Sequence, residues 1–332
     1  MKKRSIIALF VTLGAVMAQA EPAGAGRCPA ASAGDIEEYA IPSGATPGAI
    51  TFGPDNRVWF VQGSASRIAA ADSSGNVTEY PLAAGSNPLG ITLGPDGRLW
   101  FTEAGTNRIG AITTSGVVTE YEIPTINSSP FAIAPGFDGN LWFTELLGNK
   151  VGRITPSGVI TEFALPTPNS QPRGIAAGID GKLWVAESFT NKIARISTSG
   201  AVTEYSLPPS ASGPNAVTLG PDLSIWFTTT SEIAKIDASG TVTEFALPAP
   251  DRGPASITLG VDGNLWFTES FGNKIGRITT SGVVTEFDLP VANSRPAGIT
   301  LLPSLRGCGL LDVWFTERLG RRVGKIRAVT TP

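Results

Sequence analysis

Histidine is absent from the 332 residues, and cysteine and methionine occur only twice each. Without histidine the chain lacks the side chain that most often serves as general acid or base near neutral pH. Two cysteines alone also fall short of the four ligands a zinc site needs. Charge is sparse, at 16% of residues, with 25 basic against 28 acidic. That balance offers no basic surface to nucleic acid or to an anionic membrane, and neither is expected as a partner. Long apolar runs are missing too. Residues 6–17 form the longest, preceded by Lys2, Lys3 and Arg4 and closed by Ala18-Gln19-Ala20. It is shorter than the roughly 20 residues of a membrane span. The layout is that of a secretory signal cut near Ala20, giving a secreted or periplasmic protein with a signal at 1–20 and an extended Ala/Gly/Pro/Ser leader at 21–35. Gly-x-Ser-x-Gly and phosphate-cradling glycine loops do not appear in usable context; the 39 glycines belong to turns.

What is present is one pattern written seven times. Its cleanest copy, residues 254–290, has Ser256-Ile257-Thr258-Leu259, a Val261-Asp262-Gly263 turn, Asn264-Leu265-Trp266-Phe267-Thr268-Glu269, Lys274-Ile275-Gly276-Arg277-Ile278, a Thr280-Ser281-Gly282 turn, and Val283-Val284-Thr285-Glu286-Phe287. The β-branched and aromatic content, with Asp-Gly and Ser-Gly between the runs, predicts four short strands and no helix. Trp59, Trp100, Trp142, Trp184, Trp226, Trp266 and Trp314 mark the copies at spacings of 41, 42, 42, 42, 40 and 48 residues. Such a period with four strands is that of a β-propeller blade. Leu265 and Phe267 alternate with Trp266, so the second strand is apolar on both faces and must be covered on both, as in stacked blades. Gly276, repeated as Gly110, Gly152 and Gly324, leaves room for a bulky neighbour.

The ends of the array predict a closed ring. The last repeat has no fourth strand of its own, and residues 36–42, Ile-Glu-Glu-Tyr-Ala-Ile-Pro, form a fourth strand with no blade before it. Pairing the two removes an exposed sheet edge. The expected fold is therefore all-β: one domain, 36–332, a seven-bladed propeller of four-stranded antiparallel blades closed by the N-terminal strand. Cys28 precedes that strand, and Cys308 lies in the long first turn of the seventh repeat, 303–311. In an exported protein two cysteines at one blade are most simply a disulfide, two unpaired thiols being the alternative.

Strand direction puts the Asp-Gly and Ser-Gly turns on one rim. The other rim gathers the loops after Glu103, Glu145, Glu187, Glu269 and Glu317 and the proline-containing loops before each first strand, so it is the candidate face. The glutamates recur, with Gln62 and Thr229 as gaps, which favours a structural role. The expected partners are the following Asn-Lys pairs (Asn149-Lys150, Asn191-Lys192, Asn273-Lys274) or a neighbouring blade. The residue after each leading proline varies instead: Gly48, Leu89, Phe131, Arg173, Asn215, Ala255, Ala297. Arg252, Arg295, Arg318, Arg321 and Arg322 gather on the last two blades. A guanidinium fork suits carboxylate or phosphate, with solvated surface charge as the plain alternative.

The repeat Gly-x-Asp-Gly-x-Leu-Trp-Phe-Thr-Glu, Gly-Asn-Lys-Ile-Gly-Arg-Ile-Thr, Ser-Gly-x-Val-Thr-Glu-Phe-x-Leu-Pro resembles that of the virginiamycin B lyase (streptogramin lyase) family across residues 36–331. The resemblance implies a seven-bladed propeller that opens a cyclic depsipeptide by eliminating its ester, with two histidines and a glutamate-held magnesium ion. It places the histidines at Ala255 and Ala297 and the metal-binding glutamates at Arg295 and Glu317. Three of these four positions are changed here, so the resemblance supports the fold and speaks against the reaction.

The sequence therefore predicts a monomeric propeller that binds a small-molecule or saccharide ligand, anionic in character, without a cofactor. The candidate binding residues are Arg173, Asn215, Arg252, Arg295, Arg318, Arg321, Glu187, Glu269 and Glu317. Two other classes stay open. One is an enzyme, a lyase or a lactonase-like hydrolase, with Mg²⁺ or Ca²⁺ on Glu187, Glu269 or Glu317 together with Asn215. The other is a scaffold for a protein partner.

Overall fold

The computed structural model describes residues 34–302 and 310–329. Their strands form seven four-stranded antiparallel sheets, six of them in simple sequence order. The copy at 254–290 folds as Pro254–Leu259, Leu265–Glu269, Lys274–Ile278 and Val284–Asp288. Apart from the 3-10 turn Gly63–Ala65, the described residues contain no helix, and none is long and apolar enough to cross a membrane. The molecule is an all-β, seven-bladed propeller.

Side-chain period and turn chemistry explain each blade. Strands that alternate about a two-residue period send Trp266 to one face and Leu265 and Phe267 to the other. Trp266 packs with Val313 and Phe315 of the seventh blade, while Leu265 and Phe267 pack with Trp226 of the fifth. Each tryptophan also lies flat on the aromatic residue of its own fourth strand, with ring centroids 5.1 Å apart for Trp226 and Phe245 and 5.9 Å for Trp314 and Tyr39. The aspartate of this turn also fixes the indole: Asp262 Oδ1 accepts the Trp266 ring N–H at 3.2 Å, and Asp222, followed by leucine instead of glycine, accepts that of Trp226 at 2.8 Å. Gly276 is needed where Phe267 crosses it, since a Cβ there would sit 2.2 Å from the phenyl Cζ.

The seventh sheet runs in the order Ile36–Ala40, Arg322–Val329, Leu310–Glu317, Pro296–Leu302. Its N-terminal strand pairs from Ile36 opposite Ile326 to Ala40 opposite Arg322. Trp314 then packs against Val58 and Phe60 of the first blade, which completes the ring. On the rim of the Asp-Gly turns, cations fasten blade to blade: Arg98 donates to the Pro156 carbonyl at 2.8 Å, and Lys325 to that of Ser73 at 3.0 Å across the closure. The first and second strands of the seventh blade are prolonged, to Leu302 and from Leu310. The signal, the leader up to residue 33, Cys28 and Cys308 lie outside the described residues, and so does the expected disulfide; Gly34 and Asp35 already pair with the Arg327 backbone at 3.0 Å each.

Candidate functional site

First strands of adjacent blades touch one another around the axis. Where they begin, the channel widens into a cavity of about 740 Å³. Gly48, Leu89, Phe131, Asn215, Ala255 and Ala297, each following a leading proline, line it, as do Ser270, Phe271, Arg318 and Leu319 from the loops after second strands. The two loop sets therefore share one rim and one mouth. Among the described residues no carboxylate lines that cavity.

Two arginines reach in. Arg295 precedes Pro296 and holds a left-handed backbone at φ 53°, a conformation that costs a residue with a Cβ on the order of 1 kcal/mol. Its guanidinium lies 5.2 Å from the Phe271 ring centroid, in the range of a cation–π contact. The Arg318 backbone N–H donates to the Arg295 carbonyl at 3.0 Å, which places the second arginine beside the first. Among the described residues neither has a carboxylate within ion-pair distance, whereas Arg252 and Arg322 do.

Arg173 flanks the mouth without lining it. Its guanidinium sits 5.5 Å over Phe131 and donates to Asn215 Oδ1 at 3.4 Å. Asn215 in turn donates to the Ala255 carbonyl at 2.8 Å. The other candidates fall elsewhere. Arg252 turns back into its own blade, 3.5 Å from Glu269 Oε2 and 3.3 Å from Glu286 Oε2. Arg321 holds the left-handed turn position (φ 52°) before the last third strand, where four other blades place Asn107, Asn149, Asn191 and Asn273. It takes no part in the cavity lining.

The glutamates that end the second strands are fully buried and stand behind the mouth rather than in it. The expected Asn-Lys partners do not meet them. Lys150 Nζ bonds Glu162 of the fourth strand at 2.9 Å, and Asn149 donates to the Thr167 carbonyl at 3.0 Å. The reason lies in the left-handed backbone of Asn149, φ 53°, which turns its amide toward the next loop. Each buried glutamate faces a fourth-strand glutamate instead. Burial, reinforced by Glu162, pushes Glu145 up to about 8. Burial with Glu204 takes Glu187 to about 7, and burial with Glu286 does the same for Glu269. Burial with Glu38 takes Glu317 to about 8. Gly148 lets the cover over Glu145 close, since a Cβ there would meet its Oε2 at 2.7 Å. In the first blade Gln62 stands in this place and donates to Glu79 Oε1 at 2.8 Å. The first blade thus places an uncharged amide where the others bury a glutamate, in keeping with the upward shift that burial imposes there.

This arrangement does not fit a divalent ion. Asn215 lines the mouth whereas Glu187, Glu269 and Glu317 do not, and no group of three or more acidic, histidine or cysteine side chains among the described residues is placed to hold a metal. At the positions the family resemblance marks for magnesium, a cation occupies one place, and the other holds Glu317, fully buried behind the mouth rather than in its lining.

The model of the virginiamycin B lyase family matches residues 19–189 and 133–331. Among solved structures, selenomethionine-substituted virginiamycin B lyase from Staphylococcus aureus is 36% identical at a TM-score of 0.82, covering 89% of this chain and 99% of that one. A catalytically inactive histidine-to-alanine variant of the same lyase with quinupristin is 37% identical at the same TM-score and coverage. A putative gluconolactonase, 18% identical at a TM-score of 0.55, covering 76% of this chain and 94% of that one, shares the fold alone. No curated protein matches. A family match over both halves of the propeller, together with the relatives above 30% identity, establishes that this chain belongs to the virginiamycin B lyase family.

Proposed function

We propose that the chain is an exported, ligand-binding member of this family that takes an anionic small molecule at its arginine-lined mouth and does not carry out the lyase reaction. The observation that supports it most directly is the cavity itself, into which Arg295 and Arg318 face with no carboxylate among the described residues of the lining. A guanidinium fork without an acid partner holds carboxylate or phosphate through paired, charge-assisted bonds.

Ester elimination needs a base for the proton beside the carbonyl and an electrophile for the enolate, and losing either typically costs about a hundredfold or more. Ala255 and Ala297, at the positions the resemblance assigns to the catalytic histidines, both line the mouth and neither accepts nor donates a proton. Arginine stays protonated near neutral pH and cannot replace the base. The relative in which one histidine becomes alanine is described as catalytically inactive, and this chain has no histidine at all. Export follows from the signal at 1–20 and the leader at 21–35, with the ring folding from 36 onward. The test is to incubate the purified mature protein with a streptogramin B antibiotic and magnesium and follow the product by chromatography. The antibiotic stays cyclic on this reading; turnover that EDTA abolishes would overturn it.

A further inference from the structure

The mouth is not only cationic. Leu319, 61% exposed, shares the loop of Arg318, and Phe271, 67% exposed, stands on the equivalent loop of the sixth blade under Arg295; Leu89 and Phe131 line the cavity from the second and third blades. Large apolar side chains left in water at a concave site mark a surface that something apolar covers. Two of the uncharged polar groups in the lining are already engaged: Asn215 with Arg173 and the Ala255 carbonyl, and Ser270 Oγ with the Pro296 carbonyl at 2.6 Å. An acid with a hydrocarbon or aromatic body meets unpaired guanidinium donors at one end and uncovered apolar surface at the other. A volume of about 740 Å³ suits a molecule of drug-like size.

Resting on the anion-binding reading, we infer that the ligand is an amphiphilic carboxylic acid. Its carboxylate sits at Arg295 and Arg318 and its apolar body lies against Phe271, Leu319, Leu89 and Phe131. The stacking of Arg295 on Phe271 joins the two halves, since one face of the phenyl ring orients the guanidinium while the ring itself stays exposed to a ligand.

Calorimetric titration of the mature protein with acetate, butanoate, hexanoate and octanoate tests this, with hexanol, glucuronate and inorganic phosphate as comparisons. Affinity is expected to rise about fourfold per buried methylene, and hexanoate is expected to bind more tightly than hexanol. Phe271→Ala should flatten the chain-length dependence. Leu319→Ser, at an exposed position of the other loop, gives the same reading should the first variant fold poorly. Octanoate binding no more tightly than acetate, or glucuronate or phosphate binding more tightly than octanoate, overturns the amphiphile while leaving the anion site standing. No binding by any of the anions overturns both.

Discussion

Arg252 and Arg295 stand in corresponding loops of adjacent blades, two residues and one residue before their leading prolines, yet they do opposite work. Arg252 occupies the place where other blades bury Ser86, Ser128, Ser170 and Ser294, and there it is drawn onto Glu269 and Glu286. Arg295 occupies the left-handed position just after it and is thrown out over Phe271 into the mouth. The buried position belongs to the repeat and holds the carboxyl layer behind the rim. The left-handed one is free to differ from blade to blade. Function in this propeller is therefore sought where a blade departs from its siblings without being pulled back into their shared packing.

The largest effect expected from breaking that division lies in the repeat itself. Phe315 of the seventh blade is fully buried against Trp266 of the sixth, so Phe315→Ala should cost about 3–5 kcal/mol in denaturant unfolding. Next comes the carboxyl layer. The folded pKa of Glu145 is raised from 4.5 to about 8, so the folded state binds the extra proton. That stabilisation is complete below the unfolded value and is lost as pH rises through about 8. Unfolding free energy should therefore fall by at least ~1 kcal/mol per pH unit across this window. Below it, Glu162 titrates the other way: its hydrogen bonds to Lys150 and Thr125 outweigh its burial and hold it low, so its contribution is lost as pH falls. Glu145→Gln should keep the fold, as Gln62 does in the first blade, and reduce the slope between pH 5 and 8 by up to ~1.4 kcal/mol per unit. An unchanged slope would remove Glu145 from the account. The smallest stability effects separate the two arginines. Arg252→Ala should cost about 1 kcal/mol through its ion pairs and spare ligand binding. Arg295→Gly should leave the melting temperature unchanged or raised, by up to ~1 kcal/mol of relieved backbone strain, while weakening binding.

Most of the fold was legible because it rests on local periods. The tryptophan spacing, the alternation around Trp266, the Asp-Gly turns and the orphan strand at 36–42 each have one physical reading, and the seven sheets follow it. The mouth was legible as a rim, from strand direction alone. The fate of individual side chains within it was not. Lys150 follows Glu145 closely in sequence, yet the lysine shares a strand face with Glu162 and pairs there. Spacing does not say which of two carboxylates a flexible ammonium meets. The glutamate pairs form between strands two and four across an intervening glycine such as Gly152, which opposes Phe143 and Glu162 in register, a contact visible only once the sheet is built. For the arginines a signal did exist: aligning the copies on their leading prolines puts Arg252 in the serine column and Arg295 in the column after it.

The measurement that bears most directly on the arginine-lined mouth is a calorimetric titration of the wild-type protein and the Arg295→Gly/Arg318→Ala double variant with octanoate and, in parallel, inorganic phosphate. With melting temperatures matched within a few degrees, the wild type should bind an anion and the double variant should lose roughly tenfold or more in affinity. Equal affinity in the two proteins, or no anion binding by the wild type, would contradict the assignment of the mouth.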